Sequence, residues 1–102
     1  MNQTTGIYRH YKGQYYAVFS VVNCSETQDP MVIYQCLYGD YSYWVRPQKM
    51  FNETISINSK TSARFTYCAN FPQNWFAFDQ RSPDTIDKWM RSQSWLDDTA
   101  AI

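Results

Sequence analysis

The segment from Val32 to Phe51 constrains the fold more than any other, because it reads as one β-hairpin. Residues 31–38 and 41–46 alternate between two faces and are rich in β-branched and aromatic side chains, as strands are. Gly39-Asp40 lies between them, and glycine accepts the positive φ that a two-residue hairpin turn requires. Pro47 cannot donate to a β-ladder. We therefore predict a hairpin whose second strand ends before Pro47.

The predicted turn also fixes which side chains share a face, because a two-residue turn places Tyr38 opposite Tyr41. One face then carries Tyr34, Cys36, Tyr38, Tyr41, Tyr43 and Val45. The other face carries Ile33, Gln35, Leu37, Ser42, Trp44 and Arg46. We expect the tyrosine face to lie in or near the core, and Trp44 and Arg46 to point towards a ligand.

Further β-rich runs predict about five or six short antiparallel strands in all. They lie at residues 7–11, 14–22, 53–57 and 63–68, and the last two are expected to pair across a turn at 58–60. Residues 48–51 are predicted to form a short helical turn that buries Met50 and Phe51. Strands at this spacing are typical of a small barrel or sandwich. The predicted fold is mainly β, with an antiparallel barrel over residues 7–68 and a C-terminal helix.

An aromatic tail follows the predicted barrel over residues 69–102. Residues 70–78 could hold one more strand, and Ser82-Pro83-Asp84 is typical of a helix start, which predicts a helix over about 83–95. Its stripe of Ile86, Trp89, Met90 and Gln93 is expected to pack on the barrel or on a second copy. The tail has more large aromatics than so small a core can hide: Trp75, Phe76, Phe78, Trp89 and Trp95. We therefore predict a homodimer or higher oligomer formed through the tail.

Composition narrows the class of protein. The 102 residues make one domain, and nine basic against nine acidic residues give no net field to attract nucleic acid nonspecifically. No apolar run could span a membrane and Met1 begins no export signal, so a cytoplasmic protein is expected. Cys24, Cys36 and Cys68 lack metal-site spacing and are odd in number for disulfides, so no metal or other cofactor is predicted. Cys36 and Cys68 are expected to be buried apolar fillers.

Several short motifs resemble one family. They are Tyr8 to Gly13 (YRHYKG), Ser25-Glu-Thr27, residues 32–51, Ser59-Lys60 and Arg64-Phe65. Together they are similar to DUF1653, an uncharacterised bacterial and phage family, over residues 7–67. The resemblance implies a small SH3-like all-β barrel and no established activity. This chain departs from the family where Cys24 replaces the usual histidine before Ser-Glu-Thr, and its tail exceeds the typical member.

Arg9-His10 together with Glu26 is the nearest approach to a catalytic set. His10 could act as a general base oriented by Glu26, but a structural role, with these side chains bonded to loop backbone, is favoured. Cys24 could be a nucleophile only if a neighbour lowers its pKa, and no basic residue adjoins it in sequence. The chain has no nucleophile elbow and no glycine-rich phosphate loop. A protein without enzymatic activity is predicted.

Aromatic residues make up 19% of the chain and indicate binding instead. Trp44 and Arg46 suit a planar ligand that stacks and carries an anion, such as a nucleotide; alternatively, Trp44 plugs the core and Arg46 forms a salt bridge. The predicted function is a small-molecule binding protein of the phage sponge type, which sequesters a nucleotide-derived ligand. Its predicted ligand-binding residues are Arg9, Tyr11, Glu26, Gln35, Trp44 and Arg46. The alternative function is an SH3-like adaptor whose aromatic groove binds a peptide or protein.

Overall fold

The computed structural model describes residues 3–72, 75 and 82–96 of the chain. These residues form seven strands and two helices, in agreement with the predicted mainly β fold with one C-terminal helix. In chain order the elements are β1 (Gly6–His10), β2 (Tyr15–Asn23), β3 (Pro30–Cys36), β4 (Tyr43–Pro47), α1 (Gln48–Phe51), β5 (Thr54–Ile57), β6 (Lys60–Ala63), β7 (Phe65–Ala69) and α2 (Pro83–Arg91).

The strands form two antiparallel sheets. Five of them are ordered β4-β3-β2-β1-β7, and β5 and β6 form a separate two-stranded ribbon. Strands β4 and β7 are the two edges of the larger sheet and do not pair with each other. No closed barrel is therefore found among the described strands.

The pairing predicted between residues 53–57 and 63–68 is wrong. Asn58 and Ser59 both have positive φ, 51° and 67°, which is the geometry of a two-residue hairpin turn. This tight turn brings Lys60–Ala63 directly back along β5. After Arg64 the chain leaves the ribbon, and β7 pairs with β1 instead, with His10 opposite Phe65.

The register predicted for the β3–β4 hairpin is also wrong, by one residue. Tyr34 lies opposite Trp44 and Gln35 opposite Tyr43, whereas a two-residue turn would have placed Tyr34 opposite Val45. The turn holds an extra residue because Tyr41, like Gly39, has a positive φ, 54° against 61°. A shift of one residue moves every side chain of a strand to the opposite face. Trp44 and Arg46 therefore lie on the face that carries Tyr34, and the predicted separation of the two sets is lost.

One face of the five-stranded sheet, which we term the first face, contains Tyr8, Tyr16, Tyr34 and Trp44. Its core consists of Tyr8, Val18, Val32, Tyr34, Phe51 and Phe65. Helix α1 closes this core, since the Phe51 ring lies parallel to that of Phe65 with 4.1 Å between centroids. Phe51 is buried as predicted, but Met50 is 44% exposed because it faces away from the sheet.

The opposite or second face is covered by α2 and by Trp75. The buried cluster there is Ile7, Tyr15, Ala17, Leu37, Trp75, Ile86 and Met90, with Trp89 and Trp95 packed against it. Helix α2 thus packs on the sheet of its own chain, the first of the two predicted arrangements. The expectation that the tail cannot hide its aromatics is wrong for Trp75, which is 2% exposed. Phe76, Phe78 and most of the strand suggested at 70–78 lie outside the described residues.

The start of α2 follows the predicted capping chemistry. The Ser82 hydroxyl accepts a hydrogen bond from the backbone N–H of Thr85 at 3.3 Å, and Pro83 occupies the first turn. An unsatisfied N–H at the helix start is thereby paired. The helix ends at Arg91, four residues before the predicted limit. No helix in the described part of the chain has the length and apolar character needed to cross a membrane.

Candidate functional site

An open basin lies on the first face, beside the edge strand β4. Its volume is about 360 Å³. The lining side chains come from β2, β3, β4 and the β3–β4 turn: Tyr16, Tyr34, Cys36, Tyr38, Asp40, Ser42, Trp44 and Arg46. The register of the hairpin creates this basin, because it places Trp44 and Arg46 beside the tyrosines rather than behind them.

Trp44 presents a flat, accessible surface to the basin. Its side chain is 56% exposed, so it is not the core plug considered as the alternative. The indole Nε1–H donates to the Ser42 hydroxyl at 2.7 Å, and the Ser42 N–H in turn donates to Asp40 Oδ1 at 3.1 Å. The hydrogen bond fixes one edge of the ring and leaves its face available for stacking.

Arg46 reaches inward from β4 over the aromatic core. Its guanidinium carbon lies 5.9 Å from the centroid of the Phe65 ring, a distance typical of a cation–π contact. Arg46 forms no ion pair with any described residue, and its buried Nε has no hydrogen-bond partner among them. A guanidinium that lines an open basin without a paired carboxylate is suited to receive an anionic ligand.

Three tyrosines form the wall opposite Trp44. The hydroxyls of Tyr16 and Tyr38 are hydrogen-bonded at 2.8 Å, and the ring of Tyr16 meets that of Tyr34 edge to face at 5.5 Å. Burial raises the pKa of Tyr16, and the hydrogen bond with Tyr38 adds to the increase. Burial also raises the pKa of Tyr38, so the hydroxyls of Tyr16 and Tyr38 stay neutral at physiological pH and each offers both a donor and an acceptor.

His10 lies next to the basin, against the ring of Phe65 and that of Tyr16, which lines the basin. The His10 ring centroid is 4.9 Å from that of Phe65, and His10 Nδ1 accepts the Lys12 backbone N–H at 3.2 Å. The His10 pKa is lowered, first by burial and then by the positive charges of Arg64, Arg46 and Lys12. His10 is thus neutral at physiological pH, and its Nε2 carries the proton.

The predicted ligand-binding residues do not form one site. Trp44 and Arg46 share the basin, but Gln35 lies on the second face, where it is 4% exposed and donates to the Tyr41 carbonyl at 3.1 Å. Glu26 lies in the exposed turn beyond the far end of β2. Because β2 has nine residues, at roughly 3.3 Å per residue it separates Glu26 from His10 by more than roughly 20 Å. The two do not form a catalytic pair.

Arg9 and Tyr11 line a second cavity of about 360 Å³. Arg9 alternates with His10 along β1, so its side chain leaves the sheet on the opposite face, near Cys68 and Trp95. The Tyr11 ring is 4.4 Å from that of His10, and His10 also lines this second cavity. A third cavity of about 250 Å³ lies between α2 and the β3–β4 turn.

The cysteines are all free. Cys36 is buried as expected, while Cys68 is only partly buried. The pKa of Cys24 is lowered by a hydrogen bond with Thr27 and by backbone N–H groups of the same turn, although no basic residue adjoins it in sequence. The structure holds no cluster of three or more His, Cys, Asp or Glu side chains suited to a metal within the described residues.

Sequence reasoning missed the tyrosines and Phe65 as parts of this site. The predicted register places Tyr34 and Tyr38 away from Trp44, in or near the core, and the sequence assigns no role to Tyr16. Tyr16 and Val18 are two residues apart on β2, and this spacing does indicate that their side chains lie on the same face. The role of Phe65 depends on its stacking with Phe51, a contact that no local pattern indicates.

Comparisons with known proteins identify the family. The model of DUF1653, described as a protein of unknown function, matches residues 6–67. A crystal structure of a DUF1653 protein from Bordetella bronchiseptica superimposes with a TM-score of 0.63 and 29% sequence identity, covering 70% of this chain and 94% of that one. None of the curated proteins matches this chain. The tail lies beyond the matched residues.

Proposed function

Because the chain belongs to the DUF1653 family, whose function is unknown, we propose from the geometry of the basin that this protein binds a nucleotide-derived small molecule without transforming it. A planar base would stack on Trp44, and its anionic group would contact Arg46. In a phage, such a protein would act as a sponge that sequesters a host signalling nucleotide.

The observation that carries this proposal is the pairing of Tyr34 with Trp44. It places a half-exposed indole, neutral phenols and an arginine with an unpaired buried donor on one face. Base stacking on aromatic side chains contributes roughly 1–3 kcal/mol per base. A guanidinium adds charge-assisted hydrogen bonds to a phosphate.

Isothermal titration calorimetry with nucleosides, mononucleotides and cyclic nucleotides tests the proposal. We expect at least one nucleotide to bind with micromolar affinity or tighter, and Trp44→Ala and Arg46→Ala each to weaken its binding about tenfold or more. Val45→Ala is the matched control, since Val45 is next in sequence, equally exposed at 56%, and on the opposite face. The absence of heat with every nucleotide would reject the proposal.

A peptide-binding, SH3-like adaptor is the second candidate function. Strand β4 is an edge of the sheet, and its Tyr43, Trp44 and Val45 are all more than half exposed. An extended peptide could add to such an edge through backbone hydrogen bonds. Stoichiometric recovery of one host protein in a pull-down would favour this function, and the protein should then lose its partner on substitution of Val45 as well as of Trp44.

Self-association through the tail stays a prediction. Trp89 and Trp95 are only partly buried against the second-face cluster, so part of their surface is available to a second copy. Native mass spectrometry of the purified protein would report both the subunit number and any retained small molecule. A strictly monomeric spectrum would reject the predicted oligomer.

A further inference from the structure

The side chains around Phe65 carry an excess of positive charge that the whole chain does not have. The chain is neutral overall, but Lys12, Arg46 and Arg64 all lie close enough to His10 to lower its pKa. Within the described part of this cluster, the partnered carboxylate is Glu53, whose Oε1 is 3.3 Å from Arg64 Nη2. The other acidic group nearby, Asp40, lines the far side of the basin and caps its own turn.

Two of these cations have a hydrogen-bond donor without a partner. The Nε atoms of Arg46 and Arg64 are buried and have no hydrogen-bond partner among the described residues. His10 presents a third donor, because Nδ1 is occupied as an acceptor and the remaining proton is on Nε2. Leaving such donors unpaired is unfavourable, so an anion with several acceptor oxygens would be stabilised there.

Phe65 lies between Arg46 and His10, which come from different strands. Its ring lies under the guanidinium of Arg46 and against the edge of His10, and Arg64 precedes it in the chain. The groups that face His10 are the Tyr11 and Tyr16 rings, Lys12, Arg46, and Arg64 with its partner Glu53. The cluster therefore has a net positive charge with or without a proton on His10.

We propose that His10, Arg46 and Arg64 form a subsite for the phosphate monoester of the bound ligand, a refinement that rests on the proposed nucleotide-binding function. A terminal phosphate carries a charge of about −1.5 to −2 and three acceptor oxygens, whereas a cyclic phosphodiester carries a single negative charge. Several converging cations favour the more highly charged group. The ligand class is then a nucleoside monophosphate or a longer chain ending in a monoester.

His10 is the only histidine in the chain, so its ring proton resonances report on this subsite without assignment. We would titrate them by NMR in sodium pyrophosphate and in sodium chloride at the same ionic strength. An anion bound beside an imidazole favours the charged ring. We expect the His10 pKa in pyrophosphate to exceed that in chloride by about 0.5 or more, and Arg46→Gln and Arg64→Gln each to reduce the difference.

Arg91→Gln is the control, because Arg91 is an exposed arginine of α2 paired with Asp87 at 2.9 Å and lies away from Phe65. An equal His10 pKa in both salts, or an increase that survives both arginine substitutions, overturns the subsite.

Calorimetry distinguishes failure of the subsite from failure of the proposed function. A raised His10 pKa without nucleotide binding supports the subsite but rejects the function, whereas a nucleoside that binds as tightly as its monophosphate rejects the subsite alone.

Discussion

Tyr34 and Trp44 lie directly opposite each other on β3 and β4, and their side chains project from the same face of the sheet. Tyr34 is 6% exposed and packs near Phe51 and Phe65, whereas Trp44 is 56% exposed at the sheet edge. The pair therefore joins the first-face core to an accessible aromatic surface. The binding properties proposed for the basin depend on this arrangement.

Two tryptophans should respond very differently to truncation. Trp75→Ala removes a side chain that is 2% exposed and stacked on Phe71, and should lower the free energy of unfolding by about 3–5 kcal/mol. Trp44→Ala removes an exposed side chain and should change it by less than about 1 kcal/mol. Urea denaturation would measure both. Similar losses for the two variants would contradict the assignment of Trp75 to the core and Trp44 to the surface.

Gly6 and Gly39 both have positive φ, at 141° and 61°, but only one is crowded. A Cβ at position 6 would lie 2.5 Å from the Ala69 carbonyl oxygen, whereas nothing lies within 4 Å at position 39. Gly39→Ala should cost about 1–2 kcal/mol for the left-handed backbone alone. Gly6→Ala adds a clash with β7 and should cost about 3 kcal/mol or more. If chemical denaturation gave equal costs, the close approach of β1 and β7 would be in doubt.

The hydroxyl of Ser82 should contribute measurably to the stability of α2. Ser82→Ala deletes the acceptor for the Thr85 N–H and should lower the free energy of unfolding by about 1 kcal/mol. Ser94 is an exposed serine just beyond the same helix, and Ser94→Ala should have an effect within about 0.5 kcal/mol. Thermal unfolding followed by circular dichroism would compare them. An unaltered midpoint in Ser82→Ala would show that the cap does not matter.

Tyr16 should make stability depend on pH in the alkaline range. Its pKa is raised above the ordinary value of 10.0, first by burial and then by the bond with Tyr38. Above about pH 10 the unfolded chain loses a phenolic proton that the folded chain retains, so unfolding becomes easier as pH rises. Below that pH the contribution of Tyr16 is constant.

The test is to measure the free energy of unfolding of wild-type and Tyr16→Phe proteins between neutral pH and pH values above the ordinary tyrosine pKa. The wild type should lose stability more steeply with pH than the variant. The variant lacks Tyr16 and keeps only the other tyrosines whose pKa is raised, Tyr8, Tyr38 and Tyr41. Parallel curves would mean that Tyr16 ionises as freely in the folded protein as in the unfolded one.

The sequence by itself determined the features that depend on one or two residues. Ser82 and Pro83 start a helix because the hydroxyl and the ring fit its first turn. Alternating apolar residues indicated β1, β2 and β3 to within about two residues. Strand β4 ends at Pro47, one residue beyond the predicted limit. The strand stops there because proline lacks the N–H donor that a β-ladder needs.

Only the tertiary structure decided which strands pair, in which register, and what covers each face. Gly39 was expected to complete a two-residue turn, but Tyr41 also adopts a positive φ, and the added residue moves Trp44 and Arg46 to the side of Tyr34. In this register the Arg46 guanidinium lies over the ring of Phe65 on the first face, a cation–π contact that the other register would direct to the opposite face. Such contacts join distant parts of the chain, so no local pattern indicates them.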